Sequence, residues 1–156
     1  MDRVLLVLGA ILIAGVVALV LGRKPDAPAS NTNHVPSILD RNDFVRPTAE
    51  WLVAVFTSST CNTCEGVWER AELLGSDAVA TQRIDYQDDT SLHERYRIDG
   101  VPTLVIADRD GTVKRAFLGP VTATDLWAAM AEEREPGSVP DGCHGHLGAV
   151  DDDQLS

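Results

Sequence analysis

The chain has 156 residues, and its 13 Lys and Arg against 24 Asp and Glu give a formal net charge of −11. This charge, with no cluster of basic residues, argues against a nucleic-acid-binding protein, because phosphate contacts need grouped Lys and Arg. Three cysteines are too few for a fold stapled by disulfides, and the odd number leaves one without a partner in the chain.

The amino-terminal region has the composition of a membrane anchor. After a short flank, residues 1–3, residues 4–22 form an uninterrupted run of apolar residues and glycine. As a helix this run would rise roughly 28 Å, at about 1.5 Å per residue, which is close to the hydrocarbon thickness of a bilayer. We therefore expect a single transmembrane helix that tethers the rest of the chain to the lipid bilayer.

A cleaved leader is the alternative for the same run, and Ala27-Pro28-Ala29 loosely resembles a cleavage site. We favour the uncleaved anchor because the run is long and Arg23 and Lys24 follow it directly. The basic residues lean by about one charge towards a cytoplasmic position for the remaining chain, and an extracytoplasmic position stays open. Residues 23–37, rich in Pro, Ala, Asn and Ser, are predicted to be a linker.

Residues 38–134 have the pattern of one compact α/β domain. Apolar, β-branched runs predict buried strands, and apolar residues at helical spacing predict helices. Asp108 to Gly111 predicts a hairpin turn. The side chains of Leu126, Trp127 and Met130 are expected to point inward, and Trp51, Trp68 and Trp127 to lie in the core. The predicted elements are the strand Trp51–Thr57, a helix from the cysteine pair to about Leu74, the strand Val79–Asp85, the helix Thr90–Tyr96, the strands Val101–Ala107 and Thr112–Leu118, and the helix Ala123–Glu133.

The last segment, residues 135–156, is dominated by Pro, Gly, Ser and Asp and is predicted to be a disordered acidic tail. It contains Cys143, His144 and His146. These side chains suit capture of a soft metal such as copper(I), and Cys143 suits a mixed disulfide with Cys61. A chance occurrence of such residues in a tail is the alternative.

Cys61 and Cys64 are separated by two residues where a strand leads into a helix. On that spacing they lie on one face of the helix within reach of a disulfide, and the helix amino terminus favours thiolate on Cys61. Thiolate attack followed by resolution through Cys64 is a complete two-electron cycle. Half of a zinc site and a purely structural pair are the alternatives, although a structural zinc ion needs four ligands.

The pair also belongs to a longer pattern. Cys61-Asn62-Thr63-Cys64 at a strand-to-helix junction, followed later by Gly100-Val101-Pro102-Thr103 and an apolar strand, resembles the thioredoxin family. The resemblance covers roughly residues 38–134 and implies a thioredoxin-like fold, with a central mixed sheet flanked by helices. It also implies that catalysis needs no cofactor other than the redox-active disulfide.

The resemblance assigns a role to the second motif as well. Pro102 is expected to take a cis peptide bond beside the cysteines and to keep metal ions away from them. The backbone of Val101 is expected to pair with a bound substrate chain, with Thr103 completing this substrate-binding loop. The expected partners are protein thiols or disulfides near the membrane and an electron donor of unknown identity.

The sequence departs from the family around the cysteines. The usual proline between them is absent, and Thr60, Asn62, Thr63 and Glu65 occupy the positions that would tune the redox chemistry. Val55 stands where many thioredoxins have a buried acid. Glu65 repels a thiolate by roughly 0.7–3 kcal/mol at about 6 Å, against about 0.3–1 kcal/mol of stabilisation from the helix terminus. We therefore expect a reductant rather than an oxidant.

The sequence thus predicts a membrane-tethered thiol–disulfide oxidoreductase. Two other functions stay open. One is a copper- or zinc-handling module in which Cys61 and Cys64 act with the tail residues Cys143 to His146. The other is a non-catalytic binding domain, for which Val55 and Glu65 would be signs of lost chemistry.

Overall fold

The computed structural model describes residues 34–138. The predicted anchor at residues 4–22 lies outside these residues, as do most of the predicted linker and tail, with Cys143, His144 and His146. No helix within residues 34–138 combines the length and the apolar character needed to cross a bilayer. The anchor and the domain boundaries therefore stay predictions.

A 3₁₀ turn, Arg41–Asp43, precedes four strands and three helices. The strands are β1 (Trp51–Thr57), β2 (Val79–Asp85), β3 (Thr103–Ala107) and β4 (Val113–Leu118). The helices are α1 (Cys64–Glu72), α2 (Thr90–Arg95) and α3 (Ala123–Arg134).

The four strands form one sheet in the order β2-β1-β3-β4. β1 and β2 are parallel, whereas β1 with β3 and β3 with β4 are antiparallel, so the sheet is mixed as expected. All seven residues of β1 and all five of β3 are buried, because both of these central strands are covered on their two faces. The predicted mixed α/β architecture is confirmed for this part of the chain.

Alternation along the strands divides the core into two clusters. The first contains the β1 residues Leu52, Ala54 and Phe56, and α2 and the segment before β1 cover it through Leu92, Tyr96, Leu39 and Phe44. The second contains Val53 and Val55, and α1 and α3 cover it through Val67, Ala71, Leu126, Ala129 and Met130. The sheet therefore lies between two layers. Both cysteines lie where β1 leads into α1, on the side of the second cluster.

One expectation about the helices is wrong. Trp127 has 49% of its surface exposed, because the buried stripe of α3 is Leu126, Ala129 and Met130 and the neighbouring position turns away from it. The first helix begins at Cys64, with Cys61 just before it as expected, and ends at Glu72, with Leu73 as its carboxyl cap. Trp51 is buried and Trp68 half-buried against the second cluster.

Candidate active site

The cysteine pair lies in the segment that joins β1 to α1. Cys61 lies in a turn in which its own amide donates to the Ser58 carbonyl at 3.0 Å. Cys64 is the first residue of α1. A disulfide joins them across a Cα–Cα distance of 5.5 Å, which lies within the usual range. Cys64 is fully buried, whereas Cys61 is half-buried. One sulfur is therefore accessible from outside, and its partner lies beneath the surface.

The loop with Pro102 lies at the same edge of the sheet. Because β1 and β3 are antiparallel, Phe56 near the end of β1 pairs with Thr103 at the start of β3. The Val101–Pro102 peptide bond is cis, as the resemblance implies. Pro102, just before Thr103, and the cysteine segment, just after Thr57, therefore lie side by side at this end of the sheet.

The predicted substrate-binding residues differ in whether their polar groups already make hydrogen bonds. Thr103 is buried, and its hydroxyl donates to the Gly100 carbonyl at 2.8 Å. The Pro102 carbonyl accepts from the Gly119 amide, also at 2.8 Å. Val101 is half-buried, and within residues 34–138 no hydrogen bond engages its amide or carbonyl. Its backbone is therefore available to another chain.

The predicted tuning residues are placed in different ways. The Thr63 hydroxyl lies 3.6 Å from the Cys61 sulfur, within hydrogen-bonding range of sulfur. Thr60 is instead held 2.9 Å from the Ser58 hydroxyl, and Asn62 is exposed. Val55 is fully buried in the second cluster, so an apolar side chain fills the position of the acid. Of the two threonines, Thr63 is the one placed to bond a thiolate on Cys61.

Two residues that the sequence pattern did not single out hold this segment. The Gln87 side chain donates from Nε2 to Ser58 Oγ at 3.0 Å and accepts the Ser59 amide at 2.9 Å. Arg83 on β2 donates from Nη1 to Glu65 at 2.7 Å and from Nε to the Thr57 hydroxyl at 3.2 Å. The available signal was weak: an arginine within a buried strand, and a polar residue two positions after its end.

The pairing with Arg83 alters the expected role of Glu65. The Glu65 carboxylate is 61% exposed, but it faces a guanidinium instead of standing alone at the helix start. Its repulsion of a thiolate is therefore partly offset, and the magnitude expected from sequence is an upper limit.

A cavity of about 530 Å³ opens between the end of β2 and the loop before Pro102. Its walls include Tyr86, His93, Arg97 and Asp99. His93 is buried, its Nε2 lies 3.1 Å from the Ile84 carbonyl, and burial lowers its pKa below the ordinary 6.5. The ring is thus held neutral among aromatic neighbours.

A metal site is not evident around the pair. Within residues 34–138, no three His, Cys, Asp or Glu side chains are grouped so that they could hold a metal ion. The tail residues of the metal-handling alternative lie outside this range.

Comparison with known proteins bears on the fold. No protein-family model matches the sequence, and neither does any curated protein sequence. Among solved structures, a point-mutant thioredoxin from Halobacterium salinarum is 26% identical, with a TM-score of 0.53, over 76% of this chain and 98% of the other. Oxidised mitochondrial thioredoxin 3 of Saccharomyces cerevisiae is 19% identical, with a TM-score of 0.48, over 59% and 85% of the two chains.

Proposed function

We propose that this chain, whose described residues have a thioredoxin-like fold, is a thiol–disulfide oxidoreductase whose reacting groups are Cys61 and Cys64. The observation that carries the proposal is a disulfide between an accessible and a buried sulfur at the sheet edge where the cis Pro102 loop also begins. Two cysteines that exchange electrons with a substrate need no cofactor.

Cys61 is the attacking group because it is the more accessible of the two. Its thiolate attacks one sulfur of a substrate disulfide, the substrate S–S bond breaks, and one substrate sulfur leaves as a thiolate that takes up a proton. Cys61 is then joined to the substrate by a mixed disulfide. The Thr63 hydroxyl, 3.6 Å from the Cys61 sulfur, is placed to hydrogen-bond the thiolate before attack.

Cys64 resolves this intermediate. It loses its proton and attacks the Cys61 sulfur, the mixed disulfide breaks, and the second substrate sulfur leaves. The substrate has then gained two electrons and two protons, and Cys61 and Cys64 are joined as a disulfide. A protein or small-molecule dithiol must reduce them again for turnover.

The substrate is a polypeptide that lies along the Pro102 loop. The backbone amide and carbonyl of Val101 make no hydrogen bond to the described part of the chain, and they suit an extended chain that forms β-type hydrogen bonds. Such a chain passes beside Cys61, because the loop and the cysteine segment emerge side by side from β3 and β1.

We propose reduction as the working direction. A strong oxidant owes its potential to a strongly stabilised reduced form. Here Val55 contributes no charge that would stabilise a thiolate, and Glu65, whose charge Arg83 offsets only in part, places a carboxylate in the first turn of α1. Neither residue stabilises the reduced form, which favours the disulfide and hence a reductant. A reduction potential close to about −120 mV, the value of a strong oxidant, would contradict this direction.

Residues 4–22 are proposed to tether the domain, so that its clients lie at or near a membrane. The support is the apolar run itself. Labelling Cys143 in intact cells with a membrane-impermeant thiol reagent would establish the side, because only an extracytoplasmic tail would react.

Insulin reduction by the full chain, with dithiothreitol as electron donor, tests the chemistry. Cys61→Ser should abolish turnover, and Cys64→Ser should trap a mixed disulfide through Cys61. Cys143→Ser is the matched control and should retain wild-type turnover. Full activity of Cys61→Ser would refute the proposal, and inactivity of the wild type would support a binding domain instead.

A further inference from the structure

Arg83 joins the two ends of the segment that carries Cys61. Its Nε donates to Thr57, the last residue of β1, at 3.2 Å, and its Nη1 lies 2.7 Å from Glu65 in the first turn of α1. Its Nη2 lies 3.9 Å from the Asp85 carboxylate on its own strand. One planar side chain thus contacts three separate groups, which suits the fixed fork of donors in a guanidinium.

The position of Arg83 shields part of these contacts from water. Its side chain is 31% exposed, and Asp85 is 13% exposed, so water screens their charges less than it would at an open surface. Arg83 stands opposite Val55 in the β1–β2 register, beside a strand position filled by an apolar side chain. Without the guanidinium, two carboxylates would remain near the start of α1 with no cation bound to them by the contacts described.

We propose that Arg83 is a positioning residue of the dithiol, which holds the segment from Thr57 to Glu65 in place and offsets the negative charge of Glu65 next to Cys64. The inference rests on the proposed thiol–disulfide chemistry and assigns a role to a residue 19 positions beyond the second cysteine. Its consequence is electrostatic: the cation favours the thiolate form of the reduced pair.

The expected size of the effect follows from Coulomb's law. For a guanidinium charge taken to be roughly 10 Å from the reacting sulfur, with an effective dielectric constant of about 40–80, removal of that charge changes the thiolate fraction by about two- to fourfold. The effect should shrink in about 1 M salt, where the screening length falls to about 3 Å.

The test is a pH titration of thiolate absorbance near 240 nm in the reduced full chain. Cys143→Ser serves as the background, so that the signal comes from Cys61 and Cys64. Arg83→Ala should shift the titration midpoint upward by the amount that corresponds to this two- to fourfold loss of thiolate. Adding Glu65→Gln to Arg83→Ala should reverse most of the shift, because it removes the carboxylate that was left without its cation. Arg83→Lys should retain part of the wild-type behaviour.

Arg95→Ala is the matched control. Arg95 also contacts two carboxylates, those of Asp40 at 3.3 Å and Asp43 at 3.0 Å, but it lies on α2 and not beside the cysteine segment. This variant deletes the same charge and should leave the thiolate titration unchanged.

An unchanged midpoint in Arg83→Ala, or a shift that Glu65→Gln does not reverse, would overturn the proposal and leave Arg83 with a structural role alone. If Arg83→Ala does not fold, the titration midpoints of Arg83→Lys and Glu65→Gln are compared with that of the parent protein instead. The titration requires no substrate. If the parent protein does not reduce insulin but Arg83→Ala shifts the midpoint, the proposed function is contradicted and this inference is not. If the parent protein reduces insulin and Arg83→Ala shows no shift, only this inference is contradicted.

Discussion

Replacement of Gly111 by alanine should be far more destabilising than replacement of Gly119. Gly111 ends the turn between β3 and β4 with φ +86°, and its carbonyl accepts the Leu39 amide at 2.7 Å. A Cβ at this position would lie 1.9 Å from the Leu39 carbonyl oxygen, where ordinary contact begins at 3.4 Å. The two segments would have to separate by 1.5 Å, the difference between these distances.

The cost has two parts. A left-handed conformation disfavours alanine by about 1–2 kcal/mol. Separation of the segments would also break the hydrogen bonds from Leu39 N to Gly111 O and from Val113 N to Ser37 O, at about 1 kcal/mol each. The sum, about 3–4 kcal/mol, is a large share of the stability of a small domain, which is about 5–15 kcal/mol.

Gly119 provides the control, because its φ is +92° but, its two chain neighbours aside, no atom of residues 34–138 lies within 4 Å of the place that a Cβ would occupy. Gly119→Ala should therefore cost only the conformational part, about 1–2 kcal/mol. Urea denaturation followed by tryptophan fluorescence would measure both variants, and the effect of alanine on the unfolded chain cancels in the comparison. Equal destabilisation of the two variants would refute the steric reasoning.

Three further outcomes follow from the core. Burial lowers the pKa of His93, so stability should fall as the pH falls below about 6.5, since only the unfolded chain takes up the proton; His93→Leu should flatten that dependence, by up to about 1.4 kcal/mol per pH unit in urea denaturation. Burial and the hydrogen bond to Asp43 raise the pKa of Tyr96 to about 12, so stability should fall as the pH rises above 10; Tyr96→Phe should remove this decline and cost about 1 kcal/mol at pH 7. Leu104→Ala, at a fully buried position of β3, should cost about 2–5 kcal/mol in the same assay, and a loss below about 1 kcal/mol would show that the site collapses around the cavity.

The strands and the motif were readable from local sequence. The bounds of β1 and β2 agree with the prediction, because a continuous apolar, β-branched run identifies a strand that is buried on both faces. The cysteine pair at a strand-to-helix junction and the stretch Gly100-Val101-Pro102-Thr103, with the order of elements between them, together indicated the resemblance to the thioredoxin family. These features depend on residues that are close together in the chain.

The orientation of side chains on the helices was harder to predict from the sequence. The inward position predicted for Trp127 was wrong, because apolar character alone does not say on which side of a 3.6-residue repeat a side chain falls. The turn that places Cys61 just before α1 closes through a hydrogen bond from the Cys61 amide to the Ser58 carbonyl, which no residue type indicates.

The surroundings of the dithiol were decided by the tertiary structure. Arg83 contacts Glu65, which is 18 positions away in the sequence. Gly111 contacts Leu39, which is farther away in the sequence. Periodicity and turn chemistry act over a few neighbouring residues, whereas these contacts exist only once the sheet brings β2 beside β1 and the β3–β4 turn against the first segment. Local sequence was enough to propose Cys61 and Cys64 as the reacting residues, whereas the packing of the strands set which charges surround them.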